Sequence, residues 1–139
     1  MTERERIMSL EWKYVAPLDE GQLARIEEHF GLSLPEDYKR SLAKCNRGKP
    51  TLERFATELQ EERVLDYMID LEETVAMAQA IAAEYGVDNL IPIARDPFGN
   101  LIAFSAADGQ INAVLFWDQE GNKTTQIASS FTEFLQKLY

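Results

Sequence analysis

The chain has one cysteine, one histidine and no apolar run that approaches eighteen residues. A lone Cys45 excludes an intramolecular disulfide and a cysteine-built zinc cluster, and its use fits a reducing compartment. With His29 as the single imidazole, a Ser-His-Asp triad has no reserve and a histidine-rich metal site has too few members. No G-x-G-x-x-G and no Walker loop occurs, so the glycine-rich phosphate cradles are missing as well. The opening stretch MTERERIMSLEW alternates charges and lacks the apolar core of a signal peptide. These absences predict a soluble, cytoplasmic protein without a cofactor, a metal or a transmembrane segment. Seven glycines and five prolines, scattered singly, provide no flexible linker, so 139 residues read as one domain over 12–139 behind a charged segment at 1–11. A domain of this size buries about 70% of its unfolded surface and needs no covalent staples.

Positive charge is scarce too. Fourteen basic residues face twenty-four acidic ones, for a net charge of -10. The excess is local: residues 1–52 balance at nine of each sign, whereas ERFATELQEERVLDYMIDLEE, residues 53–73, holds eight acids against Arg54 and Arg63. Such a field repels phosphate backbones and anionic lipids and attracts a basic protein. A solvated face that keeps the protein soluble is the plain reading of the run. Its functional counterpart is a partner-binding face made by Glu61, Glu62, Asp66, Asp70, Glu72 and Glu73. A carboxylate- or metal-dependent hydrolase is the remote third reading, because phosphoryl and acyl chemistry also call for cations or oriented donors.

Periodicity supplies the elements. Asp19 and Gln22 form a capping-box pattern ahead of Leu23, Ile26 and Phe30, and Gly31 ends that helix. His29 near its end complements the helix dipole, a sufficient reason for a cationic side chain there. Pro35 suits a first helical position, and Tyr38, Leu42 and Cys45 form the stripe of a second helix that stops near Asn46. RGKP, Arg47 to Pro50, reads as a turn. Val64 to Ile69 alternates as a strand with Leu65, Tyr67 and Ile69 on one face and Asp66 and Asp70 on the other. Leu71 to Tyr85 is a third helix closed by Gly86. LIPIA, residues 90–94, is extended, with Pro92 marking an edge or an irregularity.

Three runs then follow at meander spacing, LIAFS, INAVLFWD and KTTQIA, separated by turns at Gly99-Asn100, Asp108-Gly109 and Gly121-Asn122. Trp117 shares a face with Ile111, Ala113 and Leu115 and is expected in the core or at its rim. Ser130 and Glu133 cap a last helix whose apolar stripe is Phe131, Phe134, Leu135 and Leu138. The loops DPFGN and DQEGN echo each other. Both read as hairpin turns, in which Asp96 and Asp118 bond the backbone ahead and Gly99 and Gly121 provide the unusual dihedrals. Neither has the alternating oxygen ligands of a calcium loop. The order of elements predicts an α+β fold: a mostly antiparallel curved sheet, an N-terminal helix pair, a C-terminal helix, and helices packed on one face.

LPEDY, the Asn46–Gly48 turn, IPIARDPFGN, VLFWD and IASSFTEFLQKL, in this order, resemble the SUKH superfamily, which includes the yeast Smi/Knr cell-wall assembly regulators and many bacterial immunity proteins. Leu34, Pro35, Tyr38, Gly99, Asn100, Trp117, Phe131 and Phe134 carry the pattern. Arg47 departs from it, standing where many relatives have glycine, and the third helix looks like an insertion found in part of the superfamily. The resemblance implies a non-catalytic α+β domain that binds a cognate toxin, commonly a basic nuclease. The alternative it leaves is a regulatory module that holds a peptide or partner protein.

Overall fold

The computed structural model describes residue 2, residues 10–58 and residues 60–139, with the Glu61 side chain outside the description. In chain order the elements are β1 (Trp12–Lys13), α1 (Glu20–Phe30), α2 (Glu36–Cys45), β2 (Lys49–Pro50), β3 (Arg54–Thr57), β4 (Gln60–Val64), β5 (Tyr67–Met68), α3 (Leu71–Tyr85), β6 (Leu90–Arg95), β7 (Leu101–Ala107), β8 (Gln110–Asp118), β9 (Lys123–Ala128) and α4 (Phe131–Gln136). Strands β5 to β9 form one antiparallel sheet in sequence order, with β1–β2 and β3–β4 as two small pairs beside it. The fold is α+β.

The helices begin and end where short polar residues and glycines dictate. Asp19 Oδ1 accepts from the Gly21 amide at 2.8 Å and Gly31 closes α1 at φ 67°. Ser130 Oγ accepts from the Glu133 amide at 3.0 Å ahead of α4. Pro35 sits one residue before α2 rather than inside it. The meander pairs as the turns require. Asp108 and Gly109, at φ 54° and 74°, make the two-residue connection between β7 and β8.

Alternation along β6, β7 and β8 sorts their side chains onto two faces, both covered. Ile91, Ile93, Ile102, Phe104, Val114 and Phe116 face α1, α2 and α4, where Tyr38 meets Phe104 and Phe131 edge-on at 5.1 and 5.2 Å. Leu90, Leu101, Ala103 and Trp117 face the other way and pack with Ile81 of α3. Helix α3 joins both layers, since Leu71 belongs to the first cluster and Ile81 to the second.

Some details differ from the pattern read in the sequence: helices cover both faces of the sheet rather than one, because α3 packs on the face opposite α1, α2 and α4, and Lys49–Pro50 of the expected turn is strand β2. The strand expected over 64–69 is split: Gln60–Val64 pairs with β3, and only Tyr67–Met68 enters the main sheet. The β3–β4 hairpin inserts Phe55 against Phe116 and Phe134, at 5.9 and 5.5 Å. Ile111 does not share the face of Trp117, because the register of β7 and β8 shifts between Ser105 and Ala106 and returns Ile111 to the first cluster. In the β8–β9 loop the positive φ belongs to Asn122, at 46°, and not to Gly121.

Candidate functional site

The two echoing loops are turns, each closed by hydrogen bonds that its aspartate accepts from backbone amides ahead. Asp96 is 1% exposed; its Oδ1 accepts from the amides of Phe98 and Asn100 at 2.9 and 2.8 Å, and its Oδ2 from Asn100 Nδ2 at 2.8 Å. Gly99 stands at φ 89°, a conformation that residues with a side chain rarely adopt, and a Cβ there would also have to displace the Gln119 side chain, whose Oε1 lies 2.9 Å away. Asn100 Oδ1 in turn accepts from the Gln119 amide at 2.9 Å, which ties the first loop to the second. Asn122 holds the indole of Trp117 at 2.9 Å and the Tyr85 carbonyl at 3.1 Å. Among the described residues no group of three His, Cys, Asp or Glu side chains is placed to hold a metal ion. His29 closes the first helix edge-on to Phe30, with ring centroids 4.8 Å apart.

The acids of residues 53–73 are divided by the fold. Asp66, Asp70, Glu72 and Glu73 line one groove of about 530 Å³. Glu62 lies elsewhere, on β4, paired with Arg54 at 3.2 Å. The backbone of Glu61 belongs to β4 and its side chain lies outside the described residues. One side of the groove comes from the β1–β2 corner, as Tyr14, Arg47 and Lys49, and the other from the first turn of α3, with Asp66 and Tyr67 between them. Backbone bonds fix this junction: the Met68 amide reaches Gly48 O at 2.8 Å and the Asp66 amide reaches Arg95 O at 2.8 Å.

Two of the four acids already have structural duties. Asp70 caps α3, accepting from the Glu72 amide at 3.2 Å. Asp66 is bound by Lys49 Nζ at 3.4 Å, and Lys49 also pairs with Glu53 at 2.9 Å. The bond to Glu53 and the pairing with Asp66 hold the Lys49 ammonium above its ordinary range, although partial burial opposes them. Glu72 and Glu73 are exposed and make no ion pair among the described residues. They give the groove its unspent negative charge.

The sequence reading did not anticipate the aromatic and cationic members of this groove. Tyr14 is 75% exposed and held at φ 62°, a conformation that bulky residues rarely adopt. Arg47 occupies the same left-handed region at φ 63°, which gives a physical meaning to the glycine expected at that position. Tyr67 lies under the Arg95 guanidinium, 5.3 Å from ring to carbon.

The sequence profile described as the SMI1 / KNR4 family (SUKH-1) matches residues 17–137. The chain belongs to that family. The SUKH-1 match covers both helices of the N-terminal pair, the whole meander and α4. It supports a domain of protein-interaction or immunity type. No curated protein matches the chain in sequence. No helix among the described residues is long and apolar enough to cross a membrane.

Proposed function

We propose that this SUKH-1 domain is a non-catalytic immunity protein that captures a basic partner, a cognate toxin of nuclease type, through the groove between the β1–β2 corner and the first turn of α3. The supporting observation is the convergence of Asp66, Asp70, Glu72 and Glu73 on one concave surface, with Glu72 and Glu73 unpaired. A negative field of this kind steers a cationic protein and takes the place of the phosphates it would otherwise bind, which raises the association rate more than the intrinsic affinity.

The test is stopped-flow association of the purified chain with the product of the neighbouring gene, at ionic strengths from about 0.05 to 0.5 M. Glu72→Lys with Glu73→Lys should slow capture about tenfold at low salt and flatten the salt dependence. Their stability should fall by no more than about 2 kcal/mol, because both positions are exposed but lie in the first turn of α3, where lysine opposes the helix dipole. Asp66 and Asp70 are poor choices for reversal, since either change also breaks a contact of the fold. Unchanged association kinetics would remove this groove from the interface. A second reading, a regulatory module that holds a peptide of a signalling or cell-wall factor, draws on Tyr14 and Tyr67 in the same groove. A pull-down from the native host separates the two by whether the prey is nuclease-like.

A further inference from the structure

Within DPFGN every residue but one has work in the turn. Asp96 satisfies the backbone, Pro97 sets one dihedral, Gly99 takes the positive φ, and Asn100 bridges to Gln119. Phe98 does none of this and is 82% exposed, more than any other large apolar side chain among the described residues. Its backbone is rigidly placed, since its own amide donates to the buried Asp96 carboxylate at 2.9 Å. A ring presented in this way loses little freedom on binding.

Phe98 lines a cavity of about 720 Å³, which also takes in Arg63, Tyr85, Asp118, Gln119 and Glu120. Its charges are unequal in availability. The Arg63 guanidinium lies over Phe116, its central carbon 4.5 Å from the ring centroid, and pairs with Asp118 at 3.9 Å. Glu120 is exposed and makes no ion pair among the described residues. Two carboxylates against one committed cation leave the cavity negative, and two aromatic rings provide π faces and apolar surface. Tyr85 is steadied by the Gln119 side chain, which donates to its hydroxyl at 2.7 Å.

We infer that this cavity is a second recognition site, which takes an extended segment of a partner protein with an arginine or lysine beside an apolar side chain. The apolar side chain lies between Phe98 and Tyr85, and the cation lies against Asp118 and Glu120. The inference rests on the reading of the domain as a binder of basic proteins, but it concerns a different surface.

The test is an amide-detected NMR titration of the full 15N-labelled chain with the capped peptide Ala-Arg-Leu-Lys-Ala, its counterpart with glutamate at both cationic positions, and an all-alanine control. The site predicts saturable shifts at the amides of Phe98, Asn100, Gln119 and Glu120 with the basic peptide alone. Phe98→Ala should weaken that binding about tenfold, and Glu120→Gln should weaken it and reduce its salt dependence. Both substitutions are at exposed side chains, so the fold is retained. Equal binding of the glutamate peptide, no saturation in the millimolar range, or an undiminished response of Phe98→Ala would each overturn the assignment. Shifts at Glu72 and Glu73 report separately on the groove beside α3, so the failure of one site is distinguishable from the failure of the other.

Discussion

Replacing Asp96 by alanine should remove far more stability than the same change at its echo, Asp118. The Asp96 carboxylate is buried and accepts three N–H groups at 2.8 to 2.9 Å. Each donor left without a partner costs about 1–3 kcal/mol, but water entering the opened turn recovers part of this, so a loss of about 3 kcal/mol is expected. Asp118 accepts from the Glu120 amide alone, at 3.0 Å near solvent, with Arg63 at 3.9 Å. Its removal should cost no more than about 1 kcal/mol. Urea denaturation followed by tryptophan fluorescence reads the difference, because Trp117 is buried and its indole is bonded to Asn122. With a slope of about 1.5–2 kcal/mol per molar, typical for this size, the midpoint of Asp96→Ala should fall by about 1.5–2 M and that of Asp118→Ala by less than about 0.7 M. Equal midpoints would show that the carboxylate does not hold the turn. A rise of the parent midpoint with added calcium or magnesium, absent in Asp96→Ala, would show that the loop is a cation site.

Arg47→Gly should stabilise the fold by about 0.5–1 kcal/mol, since the relief of a left-handed side chain exceeds the entropy a glycine adds to the unfolded chain; a lower melting temperature would contradict this. Asn46→Ala should cost about 2–3 kcal/mol in the same urea assay, because the buried amide donates to Pro17 O at 3.3 Å and accepts from the Leu71 amide at 3.2 Å. Burial pushes the Cys45 thiol from its ordinary 9.0 up to about 12 and raises Tyr38 as well. The folded state therefore retains protons that the unfolded state releases, so the contribution of these two groups to stability should be flat below about pH 9 and fall above it. The Cys45 share is about 1.4 kcal/mol per pH unit until the folded value is reached, and Cys45→Ala should reduce the slope by that amount.

Local chemistry made much of the fold legible. Ser130, Asp19 and Gly31 announce helix ends by bonds made within four residues, and Asp108-Gly109 announces a hairpin by dihedrals that few other pairs adopt. The β3–β4 hairpin was hidden because its residues are mostly polar or charged and Phe55 gains its value from Phe116 and Phe134, more than sixty residues away. The face of Ile111 was misread because a single register shift reverses every side chain beyond it. The same limit applies to the groove. Net charge pointed to the acidic run, but a tertiary contact with Lys49 occupies Asp66 and a local helix cap occupies Asp70, which leaves Glu72 and Glu73 unengaged. Tyr14 gave no signal, and Arg47 showed only as a departure from the glycine that the resemblance leads one to expect, now explained by its positive φ.

Helix α3 inserts Leu71 into one apolar layer and Ile81 into the other. Neither layer can therefore come apart while the other stays closed, because the helix would have to leave both. Amide hydrogens of β7, sandwiched between the layers, should exchange with deuterium only when the whole domain opens, at a common rate with those in the middle of α3.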